Sequence, residues 1–496
     1  MKRRVAGNVG AGLLLALAVV AAHAATIGLD AATEYQTIEG FGANGGLNTY
    51  FEDGPWVTDE FADDVINDLG LTLHRHLFVP DEWNRWYKMP PVVRAFAEKA
   101  RQAGEPYRYF GTVASAPPHM KDNGSIVGGG HVLPEHYDDF AQWIVGKVRL
   151  FHQETGVEMY ALSFSNEPRF THDFESGLWT EQEYVDFLKV LGQKFAAEGL
   201  STKIIGPEDM LTLFGAYAGF INQDPEAKQY LHALAVHGYV DGFNPASGIV
   251  HWKRLSSATT ALGCQGWQSE ISGYTNDWPS TFGYVQNMHN ALKYGKVSGW
   301  VWWCLSGRGG EDGTFGLMFN QGSKGKKYYA SKNFYRYIRP DAVMIGCDDS
   351  ADEDIDVVAF NHKNNRTLTV VALNKGGSTK EITLSGDAPT SFDVYRTSAS
   401  EDCQHHGAVS GGSSVSLPPS SVTTLFAQEY TVSTPAAMAA RHTPVHRSLA
   451  AGTKVFGLDG RSMNGRCMRA MPGVCIVETA PTGAASCRLV MPGQQQ

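Results

Sequence analysis

Met159-Tyr-Ala-Leu-Ser-Phe-Ser165, then Asn166-Glu-Pro168, then Thr180-Glu-Gln-Glu183 opening an amphipathic run to Gly199, then Lys203-Ile-Ile-Gly206: this stretch sets the fold. Met159–Ser165 is a short β-favouring run and predicts a strand. Thr180 with Glu183 three residues on is a capping box, so a helix starts there and stops at Gly199. Lys203–Gly206 then predicts a second strand. Strand, helix, strand in that order is the repeating unit of a parallel sheet.

The unit recurs in both directions. β-Favouring runs at Gly40–Ala43, Leu71–Leu77, Tyr107–Ala114, Ala235–His237, Gly266–Glu270 and Gly299–Cys304 complete a set of eight. Helical runs Thr58–Leu69, Glu135–Thr155 and Thr281–Tyr294 stop at Gly70, Gly156 and Gly295, each placed for a left-handed C-terminal cap. Eight repeats within residues 37–345 predict an α/β chain folded as a (β/α)8 TIM barrel. A doubly wound open sheet ranks behind it, because no Gly-x-Gly-x-x-Gly follows an early strand. Between residues 346 and 430 the texture changes to short runs at Val357–Phe360, Thr367–Leu373, Glu381–Leu384, Phe392–Tyr395 and Val422–Phe426, separated by polar turns. That predicts a side antiparallel β-sandwich domain, with residues 25–36 adding a strand to it. Residues 431–452 read as an Ala/Thr/Pro/Ser-rich linker and residues 453–496 as a small C-terminal β module.

The chain has 496 residues and a formal net charge of −10, which argues against nucleic acid as a partner. Its start carries Lys2-Arg3-Arg4, an apolar run Val9–Ala22 and Ala22-His23-Ala24, the layout of a cleaved secretory signal. A secreted or cell-surface chain beginning at Ala25, with no stable membrane span and acting as a monomer, is therefore expected. Seven cysteines form no CxxC, and the histidines are scattered, so neither a metal site nor a cofactor is expected. Pairing of Cys347 with Cys403, or within the tail, is compatible with an oxidising compartment.

Chemistry in such a barrel sits at the C-terminal ends of the strands. Two of those ends carry a carboxylate: Glu167 after the fourth strand and Glu270 after the seventh, on opposing sides of one mouth. A glycosidic bond needs two such groups, one to protonate the leaving oxygen and one to meet the oxocarbenium-like carbon.

The ordered set Ile38-Glu-Gly-Phe-Gly-Ala43, Leu73-His-Arg-His76, Ser115-Ala-Pro-Pro-His-Met-Lys121, Asn166-Glu-Pro168, Trp267-Gln-Ser-Glu270, Trp300-Val-Trp-Trp303 and Tyr335-Arg-Tyr-Ile-Arg-Pro340 resembles glycoside hydrolase family 30, in its bacterial endo-xylanase-like branch. The resemblance implies Glu167 as acid/base, Glu270 as nucleophile, Asn166 on the substrate 2-hydroxyl and Arg75 beside the nucleophile. A guanidinium there favours a charged Glu270, while partial burial is expected to keep Glu167 protonated. A carboxyl separation of roughly 5–5.5 Å and retention of configuration follow.

Aromatic residues near the strand ends offer faces for sugar rings. Trp83, Trp86, Trp252, Trp278, Trp302, Tyr239, Tyr274 and His119 are assigned to that platform, and His237 to substrate or to bracing the nucleophile. Trp143, Trp300 and Trp303 are assigned to the core. The segment Leu305-Ser-Gly-Arg-Gly-Gly-Glu-Asp-Gly313 sets Glu311 and Asp312 beside Arg308, which argues against dependence on a glucuronic acid branch. The expected function is a secreted retaining endo-β-glycanase on a polysaccharide, the β-1,4-xylan backbone first. A β-1,6-glucan or galactan, or a non-catalytic glycan-binding protein, is the alternative. Val455-Phe-Gly-Leu-Asp-Gly-Arg461 and Pro472-Gly-Val-Cys-Ile-Val477 resemble C-terminal sorting modules of secreted bacterial enzymes.

Overall fold

The computed structural model describes residues 24–45, 57–78, 88–239, 245–307 and 313–431 apart from 314, 320, 321 and 349, together with four strands between 454 and 490. The leader, Trp83, Trp86, Arg308, Glu311 and Asp312 lie outside the described residues.

Eight parallel strands close into a barrel: Gly40–Asn44, Leu73–Phe78, Arg108–Val113, Met159–Ser163, Lys203–Met210, Leu231–His237, Gln265–Glu270 and Gly299–Trp303. Successive residues of a strand point to opposite faces, and that decides what each one does. Leu73, Phe110, Ala161, Ile205, Ala233, Ala235, Trp267 and Val301 fill the barrel interior. The neighbouring positions pack outward on the helices, where Trp300 and Trp302 join Tyr284, Phe334 and Tyr335 in a larger core. The Thr180 capping box forms with both of its hydrogen bonds, and the helix runs Glu181–Ala197. Gly156 adopts φ 71° at the end of Tyr137–Thr155. Gly295 departs from expectation. The helix starts earlier, at Trp278 with Asp277 as cap, and it is Lys296 that takes the positive φ. Gly295 serves close packing instead, since a Cβ there would lie 2.6 Å from the Ala291 carbonyl oxygen and 3.0 Å from Trp252.

Nine strands form the sandwich ladder, in the order Gln404–Ser410, Ser391–Thr397, Ser421–Ala427, Thr367–Asn374, Ile355–His362, Val343–Cys347, Ala25–Thr37, Lys380–Gly386 and Val415–Leu417. Ala25–Thr37 pairs antiparallel with Val343–Cys347 and parallel with Lys380–Gly386, and its register shifts after Asp30 and after Glu34. Such bulges bend a strand and let a ladder fold over a shared core. Leu368, Val370 and Ala372 enter that core, while Val371 and Leu373 of the same strand face the barrel side. A strand buried on both faces explains this unbroken apolar run. Val343–Cys347 crosses the boundary expected at 345, so the chain enters the sandwich slightly earlier. Cys347 and Cys403 are not joined: the Cys347 thiol donates to the Val357 carbonyl, and Cys403 is a buried thiol.

Barrel and sandwich form one compact unit. Asn333 binds Thr397 and Thr424, the Thr369 hydroxyl donates to the Tyr337 carbonyl at 2.6 Å, and Trp278 Nε1 donates to the Ser420 carbonyl at 2.7 Å. Residues 433–496 are a second unit with a four-stranded antiparallel sheet: Ser462–Met463, Lys454–Gly457, Val474–Thr479, Ala485–Val490. No helix among the described residues is long and apolar enough to cross a membrane.

Candidate active site

Two glutamates sit at the barrel mouth in backbone conformations rare for residues with a Cβ. Glu167 has φ 47° in the turn after the fourth strand, and Glu208 has φ 59° near the end of the fifth. The Glu167 N–H donates to the Glu208 carbonyl at 3.1 Å, so each turn helps hold the other. Strained non-glycine residues of this kind persist where the surroundings fix them, and they cluster at functional sites.

Arg75 stands at the centre with no exposed surface. Leu73 of its strand points into the barrel, so Arg75, two residues on, does the same. Its guanidinium donates to Glu270 Oε2 at 2.5 Å, Asn166 Oδ1 at 2.9 Å and Thr112 Oγ1 at 3.0 Å, and it lies 3.2 Å from Glu208 Oε1. The Tyr239 hydroxyl donates to the other Glu270 oxygen at 3.1 Å. Glu270 reaches the mouth through a register shift: His237 pairs with Glu270 although Val236 pairs with Gln268, so Ser269 is the extra residue.

Between the glutamates stands His237. Its Nδ1 lies 2.8 Å from Glu167 Oε1 and 3.7 Å from Glu270 Oε1. His172 Nε2 lies 3.0 Å from Glu167 Oε2, and its ring stacks on the exposed Phe174 at 4.3 Å. The His172 loop is tied down by Ser176, whose carbonyl accepts from the buried Lys121 Nζ at 2.8 Å. Burial lowers Lys121 to about 8.

These neighbours overturn the expectation that burial keeps the proton on Glu167. Burial does push that carboxyl up, but the His237 hydrogen bond and the charges of His237 and His172 outweigh it, leaving Glu167 below its ordinary value. The imidazole of His237 moves the other way. Burial pushes it down, yet Glu270 and Glu167 together raise it above its ordinary value. The hydrogen bond between them thus favours the charged form of both partners, the imidazolium of His237 and the carboxylate of Glu167.

Of the residues expected at the site, the structure brings together Glu167, Glu270, Asn166, Arg75, His237 and Tyr239. Tyr274 and Trp302 are corrections. Trp302 is fully buried with its Nε1 on the Phe315 carbonyl at 2.7 Å, and Tyr274 lies in the same core against Tyr284. Both face the helices. Trp303 was assigned to the core but is half-buried, with Arg75 Cζ 6.0 Å from its ring centre. Trp252 is buried on Asn287 and Trp278 leans on the sandwich. His119 is exposed and meets His136 edge-on. Trp83 lies outside the described residues. His172, Glu208 and Thr112 were missed.

Glu167, His237 and Glu270 each offer a ligand atom within 4.8 Å of the others, a spacing that could hold a cation. The Arg75 guanidinium already on Glu270 places a fixed positive charge there, and like charges repel. The set fits proton sharing better than metal binding.

Residues 22–313 match the glycosyl hydrolase family 30 TIM-barrel domain, and residues 341–425 match the family 30 beta sandwich domain. The chain is 24% identical over 426 residues to glucuronoxylanase XynC of Bacillus subtilis (strain 168), covering 82% of this chain and 92% of that protein. It is 24% identical over 348 residues to the lysosomal acid glucosylceramidase of Mus musculus, covering 65% of each. The structure resembles the family 30 subfamily 8 xylanase Xyn30A of Clostridium acetobutylicum with TM-score 0.68 and 25% identity, over 82% of this chain and 99% of that one.

Proposed function

Since the chain belongs to glycosyl hydrolase family 30, we propose that it is a secreted retaining endo-β-glycanase that cleaves the β-1,4-xylan backbone. One observation carries the chemistry: Glu167 and Glu270 face each other across His237, with an oxygen of each within 4.8 Å of the other. That closeness suits direct attack by one carboxylate and leaves no room for the water an inverting pair must hold between them.

In this reading Glu270, oriented by Arg75 and Tyr239, attacks the anomeric carbon. Glu167 gives a proton to the departing glycosidic oxygen. A covalent glycosyl–Glu270 ester results, and the leaving sugar departs with its new hydroxyl. Water then attacks the same carbon while Glu167 takes its proton, and Glu270 is released as carboxylate. Asn166, fixed through its Oδ1 by Arg75, turns its amide N–H2 toward substrate, where a donor can strengthen its bond to the 2-hydroxyl in the transition state. Xylan is favoured over a lipid-linked glucoside because the similarity to the glucuronoxylanase spans more of both chains than that to the glucosylceramidase.

The test is a panel of purified polysaccharides (xylan with and without glucuronic acid branches, β-1,6-glucan, β-1,6-galactan) with product sizing and NMR of the newly formed anomeric centre. Internal cleavage of xylan with retained configuration is expected, abolished in Glu270→Gln. Inverted product, or equal activity in the wild type and Glu270→Gln, would sink the assignment.

A further inference from the structure

Glu208 is a third carboxylate at this mouth, and nothing in the double displacement uses it. It has no exposed surface, and neither of its oxygens has a hydrogen-bond partner of good geometry among the described residues. Among the described residues its close cationic groups are Arg75 Nη2, at 3.2 Å, and His237 Nε2, at 3.9 Å. That imidazole nitrogen likewise has no hydrogen-bond partner among the described residues. A buried carboxylate with so little compensation is costly, and so is the positive φ that delivers it, so the arrangement calls for a reason.

Charge balance supplies one. Glu167, Glu208 and Glu270 are three buried acids around a single guanidinium, Arg75. With a neutral imidazole the cluster would hold two uncompensated negative charges away from water; one bound proton halves that excess. Glu208 meets His237 at Nε2, while Glu167 meets Nδ1, so Glu208 attracts a proton to this cluster from the opposite side of the ring. Among the described residues, the other titratable groups facing this cluster are His172, 3.0 Å from Glu167 Oε2, Tyr184 and Tyr239, neutral phenols held protonated by burial, and Asp209, which is satisfied by Arg169 at 2.9 Å.

We propose that Glu208 is a positioning residue that keeps the exchangeable proton of the site on the His237–Glu167 pair, from which it reaches the leaving oxygen through Glu167. The proton crosses the 2.8 Å hydrogen bond from His237 Nδ1 to Glu167 Oε1 as Glu167 protonates the departing oxygen. After water has attacked in the second step, the proton returns along the same bond. The inference rests on Glu167 as the acid/base.

Replacing Glu208 by glutamine removes the charge and keeps the shape, whereas aspartate keeps the charge. In Glu208→Gln the basic limb of the kcat/KM–pH profile is expected to move down by about one pH unit, with KM little changed. Glu208→Asp should leave that limb in place even if kcat falls. An unmoved limb in Glu208→Gln, or an equal shift in Glu208→Asp, would overturn the proposal. Imidazole 15N NMR gives a readout that does not depend on turnover or on the glutamine variant folding. In the wild type at neutral pH, both nitrogens of His237 should carry protons, and a neutral imidazole there would refute the role. If the wild type cleaves no glycan, the functional reading fails by itself, while the His237 spectrum still decides for or against Glu208.

Discussion

Replacing His289 with leucine should remove a defined part of the protein's acid sensitivity. His289 lies on the helix Trp278–Lys293, is fully buried, and has no hydrogen-bond partner for either ring nitrogen among the described residues. Burial lowers it from 6.5 to about 3, with Asp356 pulling it up and Lys293 and Lys375 pushing it down. The folded imidazole thus stays neutral where the unfolded one takes a proton. Because the folded value is the depressed one, the contribution is intact above pH 6.5 and is lost as the pH falls toward 3. Each pH unit inside that window costs about 1.4 kcal/mol, so going from about pH 7.5 to about pH 5 costs about 2 kcal/mol through this residue alone. His74, lowered to about 4, and His76, also lowered, act in the same direction. They are present in both proteins and cancel in the difference. Urea unfolding of the wild type and His289→Leu at both pH values measures the effect. The wild type should lose about 2 kcal/mol more than the variant on acidification. Equal losses in the two would refute the claim that His289 is buried neutral.

Three further outcomes follow from the geometry. Trp303→Ala should raise KM about tenfold with little change in melting temperature, because its ring is on the mouth side; Trp302→Ala should instead cost about 3–5 kcal/mol of stability by emptying a core position. Steady-state kinetics and thermal melts on the pair separate the roles. Arg75→Lys keeps one charge but loses the fork that holds Glu270, Asn166 and Thr112 together, so kcat/KM should fall on the order of a hundredfold or more, and activity near wild type would contradict the geometry. Gly42→Ala would set a Cβ 1.5 Å from the Leu73 carbonyl oxygen; the first two barrel strands could not pair, and soluble expression should be lost.

Much of this architecture is legible because its signals are local. Capping at Thr180, turn glycines and β-favouring runs depend on neighbours in sequence, and all eight barrel strands were readable from them. The sandwich strands Val343–Cys347, Gln404–Ser410 and Val415–Leu417 were missed. Gln404–Ser410 is an edge strand, largely exposed, and shows no apolar alternation. The Trp302 and Trp303 assignments failed on a rule that the sequence does contain. Trp300 and Trp302 share parity on one strand, so placing Trp300 in the core required Trp302 to join it and Trp303 to face inward. Glu208 was invisible for a different reason. It depends on a left-handed turn at a residue with a Cβ, which no local pattern announces, on Arg75 from a strand far away in the chain, and on His237 at the end of the next barrel strand. Misjudging the direction of the Glu167 shift has the same origin only in part: His237 reaches it from another strand, whereas His172 stands five residues on in the same loop and was not assigned a role.

Ala25–Thr37 is the seventh rung of the nine-strand ladder, between Val343–Cys347 and Lys380–Gly386. A strand synthesised before the barrel must therefore wait, unpaired, for partners made more than three hundred residues later. Cutting the gene after the barrel would not yield a tidy catalytic core, because it would strand an apolar edge carrying Ile27 and Leu29 with nothing to cover it. Such long-range closure also makes for slow maturation, since the loop between the partners must close before their pairing contributes any stability.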